Sequence, residues 1–310
     1  MKRAVVFAHY DKDAIIDDYV IYYIENLKKV SDIIIFVSCN DLSETEKNKL
    51  NVNHIIAEEH DEYDFGSYKR GFIYLKENNL LTDIDELIFA NDSCYAPLFP
   101  FEDMFNKMEN EQCDFWGVTK NHIGIEKNNE GKYRRVVKPH CQSYFLVYKN
   151  KVFESDCFFN FIINVKKENC KNDIIIKYEM GLSEALDKNG FCSASYIKEQ
   201  NYHFNPSISN YYISIKKYKS PFIKCSIPRG NNDQNILNAY KWESVITKYT
   251  KYPIQHILKN IERTSVYKNS NSSLARNYIT YFGSRFRLII VSSIKYIKNI
   301  FYLKWRIFKR

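Results

Sequence analysis

Short unbroken apolar runs alternate with amphipathic stretches over the first hundred residues. AVVFA (4–8), DIIIFVS (32–38), HIIA (54–57) and ELIFA (86–90) are each bounded by polar residues, as strands inside a sheet are. Between them, residues 13–30 carry Ile16, Val20, Tyr23, Ile24 and Leu27 at helical spacing. Residues 43–50 read as a short helix, and 68–78 set Phe72, Ile73 and Leu75 among charges as a helix does. Asp64, Phe65 and Gly66 read as a turn, with Ser67 capping the helix after it. This β-α-β-α-β-α-β order predicts an α/β fold: a mostly parallel sheet with helices on both faces.

Beyond residue 97 the pattern predicts a loop and helix to Met108, then a strand over 113–119 with Trp116 in the core. Residues 121–132 are polar and read as a mobile loop. Two strands, 133–137 and 142–148, are expected to join at a tight turn at Pro139-His140. Helical patterns come next over 151–165 and 174–189, the second stopped by Gly190. A strand at 192–197, an irregular stretch over 206–228 and two helices over 233–262, broken near Pro253, complete the body.

In an open α/β sheet, ligands bind outside the carboxyl ends of the strands. The residues there are His9–Asp11, 38–40, 64–69 and Asn91-Asp92-Ser93. Their convergence on one edge predicts a nucleotide pocket. Asn91, Asp92 and Ser93 offer hard oxygen donors suited to Mg²⁺ or Mn²⁺; the same three types also make ordinary turns.

Composition adds a charge asymmetry. The last acidic residue is Glu262, and Arg263 to Arg310 hold eleven Lys or Arg. That segment is +11, which leaves −3 of the +8 total for the other 262 residues. A mildly acidic body gives no reason to expect nucleic acid as a partner. The eight cysteines include no C-x-x-C, so neither a zinc site nor a redox pair is indicated, and reduced thiols in a cytoplasmic protein are the simplest expectation. Met1-Lys2-Arg3 runs directly into the first strand with no signal-peptide pattern.

Seven segments carry a resemblance. They are VVFAHYD (5–11), YDFGSYKRG (63–71), ELIFANDSCYAPLFPF (86–101), CDFWGVT (113–119), HCQSYFLVYKNKVFES (140–155), YEMGLSEALDKNGF (178–191) and SPFIK (220–224). Together and in this order, the chain resembles the rhamnan synthesis F family of bacterial polysaccharide glycosyltransferases. More distantly it is similar to inverting glycosyltransferases of the GT-A fold. The resemblance implies an Asp64/Gly66 turn opening the helix before the metal-site strand, Asp92 at the metal motif and Glu179 as catalytic base. Two departures stand out: the metal motif has one carboxylate, and the acidic pair reads Tyr-Glu. It also implies transfer of a sugar, L-rhamnose from dTDP-rhamnose, to a growing glycan.

That chemistry needs stabilisation of a departing diphosphate, a base for the acceptor hydroxyl and exclusion of water. Asp92 is assigned to the metal, with Asn91 or Ser93 beside it. Lys69 and Arg70 would add positive charge near the diphosphate; the alternative is a solvated helix face. His9, Tyr10 and Asp11 would border the nucleoside, Asp64 its base or ribose, and Gln142 and Ser143 the donor sugar or acceptor. Glu179 would take the proton in a single displacement; the alternative is an exposed ion pair with Lys177 or Lys188. His9 can equally be structural, and His140 and His203 are lone histidines that can touch phosphate or metal. Tyr144, Phe145 and Tyr148 read as core.

The expected domain organisation is 1–230 a GT-A-like transferase domain, 231–264 a helical extension, 265–284 a linker and 285–310 a basic amphipathic helix. On a helical wheel Arg285, Arg287, Lys295, Lys298, Arg306, Lys309 and Arg310 share one face, with Trp305 and Phe301 on the apolar side. It lacks the roughly 18 uncharged residues needed to span a bilayer and fits the anionic inner face of the cytoplasmic membrane, where a lipid-linked acceptor would lie. Packing on its own domain or another subunit is the alternative. Two other functions compete: a sugar-phosphate nucleotidyltransferase, disfavoured because VVFAHYDKDA has no Gly-rich basic loop, and a non-catalytic nucleotide-sugar or glycan-binding relative.

Overall fold

The structure, a computed structural model, describes residues 1–198, 205–229 and 241–264. The expected linker, the basic helix over 285–310 and His203 lie outside these residues. The first half alternates as expected: β1 (Arg3–His9), α1 (Asp18–Leu27), β2 (Ile33–Ser38), α2 (Glu44–Lys47), β3 (His54–Ala57), α3 (Tyr63–Glu77) and β4 (Glu86–Asn91). A two-residue strand, β5 (Cys94–Tyr95), and helix α4 (Phe101–Glu109) come next, then β6 (Phe115–Lys127), β7 (Tyr133–Cys141) and β8 (Phe145–Lys149). After these stand helices α5 (Asn150–Phe153), α6 (Asp156–Ile163), α7 (Lys171–Ile174) and α8 (Gly181–Lys188), the last two joined by a π-helical turn, Ile175–Met180. The remainder is β9 (Ser193–Ile197), α9 (Pro206–Ser209), α10 (Tyr211–Lys216), β10 (Ile223–Lys224), α11 (Trp242–Tyr249) and α12 (Gln255–Thr264).

The main sheet runs β3-β2-β1-β4-β8-β6-β7, with β9 also on β6. β3, β2, β1 and β4 are mutually parallel, and β9 is parallel to β6. β8 is antiparallel to both β4 and β6. A largely parallel sheet with helices on its two faces is therefore the fold. Its two sides bury separate apolar clusters. One gathers Val5, Phe7, Tyr23, Trp116 and Phe145 with α1, α4 and α11; the other gathers Val6, Phe72, Phe89, Tyr148 and Phe158 with α3 and α6. Helix α3 lies close on β1 because residue 71 is glycine: a Cβ there would meet Val6 Cγ1 at 2.3 Å.

Four expectations are corrected. The turn before α3 comes one residue early, at Tyr63 with φ 56°, so Asp64–Gly66 lie in the helix. Ser67 is then interior, its hydroxyl between His60 Nε2 at 3.1 Å and Cys39 Sγ at 3.4 Å, and caps nothing. The polar stretch 121–132 is no mobile loop. Most of it is the second half of β6, paired with β7 from Ile123↔Val137 to Lys127↔Tyr133. Nor does the chain turn at Pro139-His140: β7 runs through it, and Pro139 sits where the register slips between Asn121↔His140 and Ile123↔Val137. A bulge is where a strand tolerates a residue with no N–H. Finally, 151–165 is two helices, because Ser155 ends one and caps the next through Phe158 N–H. Gly190 does stop α8, with φ 82°. α11 and α12 share the core, through Trp242, Val245, Ile246 and Ile257.

Candidate active site

A cleft of about 710 Å³ opens at the carboxyl ends of β1 and β4. Its walls include His9, Tyr10, Asp64, Asn91, Asp92, Ser93, Gln142, Ser143 and Glu179. These nine of the expected site residues are brought together from positions far apart in the chain. Three are not on the wall. Asp11 turns to the side, where Arg263 of α12 binds it along with Asp13 and Asp17. Lys69 Nζ is held by Glu62 and the Val165 carbonyl, both at 2.7 Å. Gly66 makes room for Glu62 and His60, whose atoms an added Cβ would meet at 2.3 and 3.1 Å. Arg70, the other expected cation, is paired with Glu58 and Glu62.

The Asn-Asp-Ser loop is tightly knit. β4 hands over from its last residue, Asn91, whose side chain bridges two parts of the site. The Asn91 amide nitrogen donates to Asp64 Oδ2 at 3.1 Å, and its oxygen accepts from Ser93 N at 3.1 Å and Ser93 Oγ at 2.5 Å. Asp92 Oδ2 accepts from the Tyr10 N–H at 2.9 Å and lies 3.9 Å from His9 Nε2. Its main-chain carbonyl is held by Tyr19 Oη at 3.0 Å. Burial pushes the Asp92 carboxyl up, against the pull of His9 and the Tyr10 N–H.

Facing it is a carboxylate pair. Ser143 Oγ stands 2.8 Å from Glu179 Oε2 and 3.2 Å from Asp64 Oδ2. One hydroxyl proton serves the two carboxylates, so it can be donated to one at a time. His140 Nδ1 is 2.8 Å from the Lys138 carbonyl and must donate to it, which leaves Nε2 facing Glu179 Oε1 at 3.5 Å. Glu179 is carried on the π-helical turn, a distortion that recurs at functional sites. Burial, then the Glu179 charge, pushes Asp64 up to about 6. Burial acts on Glu179 too, but the bonds from His140 and Ser143 outweigh it and hold Glu179 below the ordinary glutamate value. Two neighbouring carboxyls with pKa values driven apart can hold a proton on one and not the other just below about pH 6.

Cations reach the cleft from the stretch expected to be irregular, 206–228, and the residue just after it. β10 pairs antiparallel with β5, Lys224 opposite Cys94, and this sets Lys224 Nζ 3.0 Å from Ser93 Oγ. Arg229 stands on the next turn. The one available signal was the SPFIK segment, and in a chain with 45 Lys and Arg a single lysine does not announce a site. His60 also lines the cleft; burial and Arg70 push it down to about 4, so it is neutral at pH 7.

Among the described residues no three His, Cys, Asp or Glu side chains gather as a metal cage. The donor set suits an ion held mainly by others. Asp92 Oδ1 carries no hydrogen bond among the described residues, whereas Ser93 Oγ already contacts Asn91 and Lys224. One carboxylate, with water and substrate phosphate, is a common Mg²⁺ arrangement.

Among solved structures the chain is similar to a 4-diphosphocytidyl-2C-methyl-D-erythritol synthase, at TM-score 0.39 and 9% identity over 69% of this chain and 97% of that one. It is also similar to core-mannan synthase A from Aspergillus fumigatus in its Mn/GDP form, at 0.36 and 9%, over 63% and 71%. A nucleoside-diphosphate-sugar pyrophosphorylase from Vibrio cholerae RC9 gives 0.38 and 13%, over 62% and 90%. No curated protein sequence matches. The sequence profile of rhamnan synthesis protein F, however, matches residues 34–305, most of the chain, and the chain belongs to that family.

Proposed function

We propose that this chain is an inverting glycosyltransferase of GT-A type that moves L-rhamnose from dTDP-rhamnose to a hydroxyl of a growing cell-surface glycan. The observation that supports this reading best is the pairing across one cleft of Asp92 at the end of β4 with the Asp64–Ser143–Glu179 group. The acceptor oxygen attacks the anomeric carbon and forms the new C–O bond. Its proton passes to the Glu179 carboxylate. The bond from that carbon to the diphosphate breaks, and its electron pair stays on the phosphate oxygen. Ser143 holds the Glu179 carboxylate from one side, and His140 Nε2 holds it from the other when the ring carries a proton on both nitrogens, so the base is presented in one orientation. His9 and Tyr10 border the nucleoside, and Gln142, held by Thr119 Oγ1 at 2.7 Å, borders the sugar.

A divalent ion, Mg²⁺ or Mn²⁺, would be held by Asp92 Oδ1 beside Ser93. When bound, it supplies positive charge to the departing diphosphate. Residues 1–230 carry this chemistry, 231–264 the helical extension, and 265–284 link to 285–310, proposed as a helix on the anionic inner face of the cytoplasmic membrane near a lipid-linked acceptor. No helix among the described residues is long and apolar enough to cross a membrane. Removal of 285–310 should release the protein from anionic vesicles, and equal vesicle binding by the shortened chain would rule that role out.

Glu179→Gln tests the reaction. Turnover of dTDP-rhamnose should fall by about 10²- to 10⁴-fold, the usual contribution of a general base, while calorimetric donor binding survives. Unchanged turnover removes Glu179 from the reaction. Calorimetry with UDP- and GDP-sugars alongside, with and without Mn²⁺, decides the donor and the ion.

A further inference from the structure

The fold pairs most of its partly buried cations with carboxylates. Lys69 and Arg70 face Glu62 and Glu58, and Arg263 faces Asp11, Asp13 and Asp17. Of the three cations in the cleft wall, Lys171 is exposed, and the two partly buried ones are treated differently. Lys224 Nζ contacts the Ser93 hydroxyl at 3.0 Å and lies 4.2 Å from the centre of the Tyr144 ring. Arg229 Nε and Nη2 both donate to the neutral Asn260 Oδ1, at 3.1 and 2.8 Å, beside the Tyr95 ring. Among the described residues neither is in ion-pair contact with a carboxylate, although from further off the Lys224 charge lowers the Asp64 and Glu179 carboxyls and the Arg229 charge that of Asp92. The two bonds to Asn260 also use only part of the five N–H donors that a guanidinium has to place.

A charge withdrawn from water without a counter-charge is costly, so partly buried charges are normally paired. The fold nevertheless holds these two firmly. The β10–β5 pairing fixes Lys224, and the Arg229 N–H bonds back to the Cys225 carbonyl at 3.1 Å. Asn260, fully buried on α12, grips the Arg229 guanidinium with its oxygen and also takes the Tyr95 hydroxyl at 2.6 Å. Its amide nitrogen is anchored on Asp17 Oδ2 at 2.6 Å. Such rigid support for unpaired cations in an open cleft suits a ligand that brings the anion.

We propose that Lys224 and Arg229, with Asn260 as positioning residue, form the diphosphate-binding end of the cleft and hold the negative charge of a nucleoside diphosphate. This rests on the nucleotide-sugar reading and assigns to that site the cations it needs. It replaces Lys69 and Arg70, whose charges are already paired with glutamates. Asp64 and Glu179 stand on the acceptor side, and the two cations stand beside the Asn-Asp-Ser loop, where the bond to phosphate must break.

Calorimetry on the full chain tests this with dTDP, UDP and GDP, each beside its monophosphate, in chelator and in Mn²⁺. The wild-type chain should bind its preferred diphosphate more tightly than the monophosphate even in chelator. Lys224→Gln and Arg229→Gln should each weaken diphosphate binding by about 10- to 100-fold, the size of a charge-assisted hydrogen bond. Monophosphate binding should change less, and Lys224→Arg should restore most of the affinity. A wild-type measurement covers the case of a variant that does not fold: a saturating diphosphate should protect Lys224 from amine acetylation, read by mass spectrometry. Diphosphate affinity within about twofold of wild type in both glutamine variants, or acetylation of Lys224 undiminished at saturation, overturns the assignment, since a charge-assisted bond is worth more than that. A folded wild-type chain that binds none of these nucleotides overturns the nucleotide reading itself, and this assignment with it.

Discussion

Replacing Asp64 by Asn should stabilise the protein at neutral pH while impairing its site. The Asp64 carboxyl is buried beside Glu179 and is pushed from 3.8 up to about 6. The folded state therefore binds a proton between those two values that the unfolded chain has already released. In that window stability falls as pH rises, and above about 6 the whole penalty is present. A shift of about two units at about 1.4 kcal/mol each gives an upper bound of about 3 kcal/mol. The Asn side chain stands in for the neutral acid: its oxygen can still accept from Asn91 and Ser143, and the repulsion of Glu179 is gone. A gain of about 1–3 kcal/mol is expected at about pH 7.5, and close to none at about pH 3.5. The assay is urea unfolding of both proteins in chelator at about pH 3.5, 5 and 7.5, which bracket the two pKa values. A stability difference that does not change with pH, or a less stable variant above neutrality, would refute the reasoning.

Three further outcomes are expected from the same structure. Gly71→Ala drives a methyl into Val6 at the α3–β1 contact and should cost about 1–3 kcal/mol, read as a lower urea midpoint. Asn260→Leu removes the partner of Arg229, Tyr95 and Asp17 together, and a loss of about 2–5 kcal/mol is expected by thermal unfolding. The His60 ring, pushed down to about 4 by burial and Arg70, should show no NMR titration between about pH 5.5 and 8; a midpoint near the ordinary histidine value would contradict its placement.

The parallel half of the fold was legible because β1, β2 and β4 are buried on both faces and so read as continuous apolar runs, with the half-buried β3 beside them at the edge. Phe7, Ile35, Phe36, Ile88 and Phe89 are all fully buried. The β6–β7 ribbon was not legible for the converse reason. Tyr133, Arg134 and Arg135 stand exposed on a ribbon that projects from the core, so no apolar alternation marks them. Pro139 then looked like a turn, because a bulge and a turn share the same local chemistry. Among site residues, those at strand ends were found because topology alone puts them on one edge. Glu179 was reached by resemblance, and its partner His140 was noticed without its role. Lys224 and Arg229 needed coordinates, since a two-residue strand pairing Ile223 with Tyr95 leaves no periodic trace.

The single carboxylate of the Asn-Asp-Ser motif is better understood with those cations in view. A second aspartate at position 91 or 93 would add negative charge where Asp92 is already pushed up by burial. Position 91 is instead an amide that donates to Asp64, and position 93 a hydroxyl that meets the Lys224 ammonium. Each neutral residue thus connects the loop to a charged neighbour. Another carboxylate at 91 would repel that neighbour, and one at 93 would neutralise it. The substitution Ser93→Asp in particular would create an ion pair with Lys224 and neutralise one of the two proposed diphosphate-binding cations. It should therefore reduce diphosphate binding in chelator, and Mn²⁺ should restore part of it by giving the new carboxylate a second partner. Calorimetry in the two buffers measures both effects. Undiminished binding in chelator would mean that the Lys224 charge is not the group the ligand meets, and that the neutral residues of the loop serve its own geometry alone.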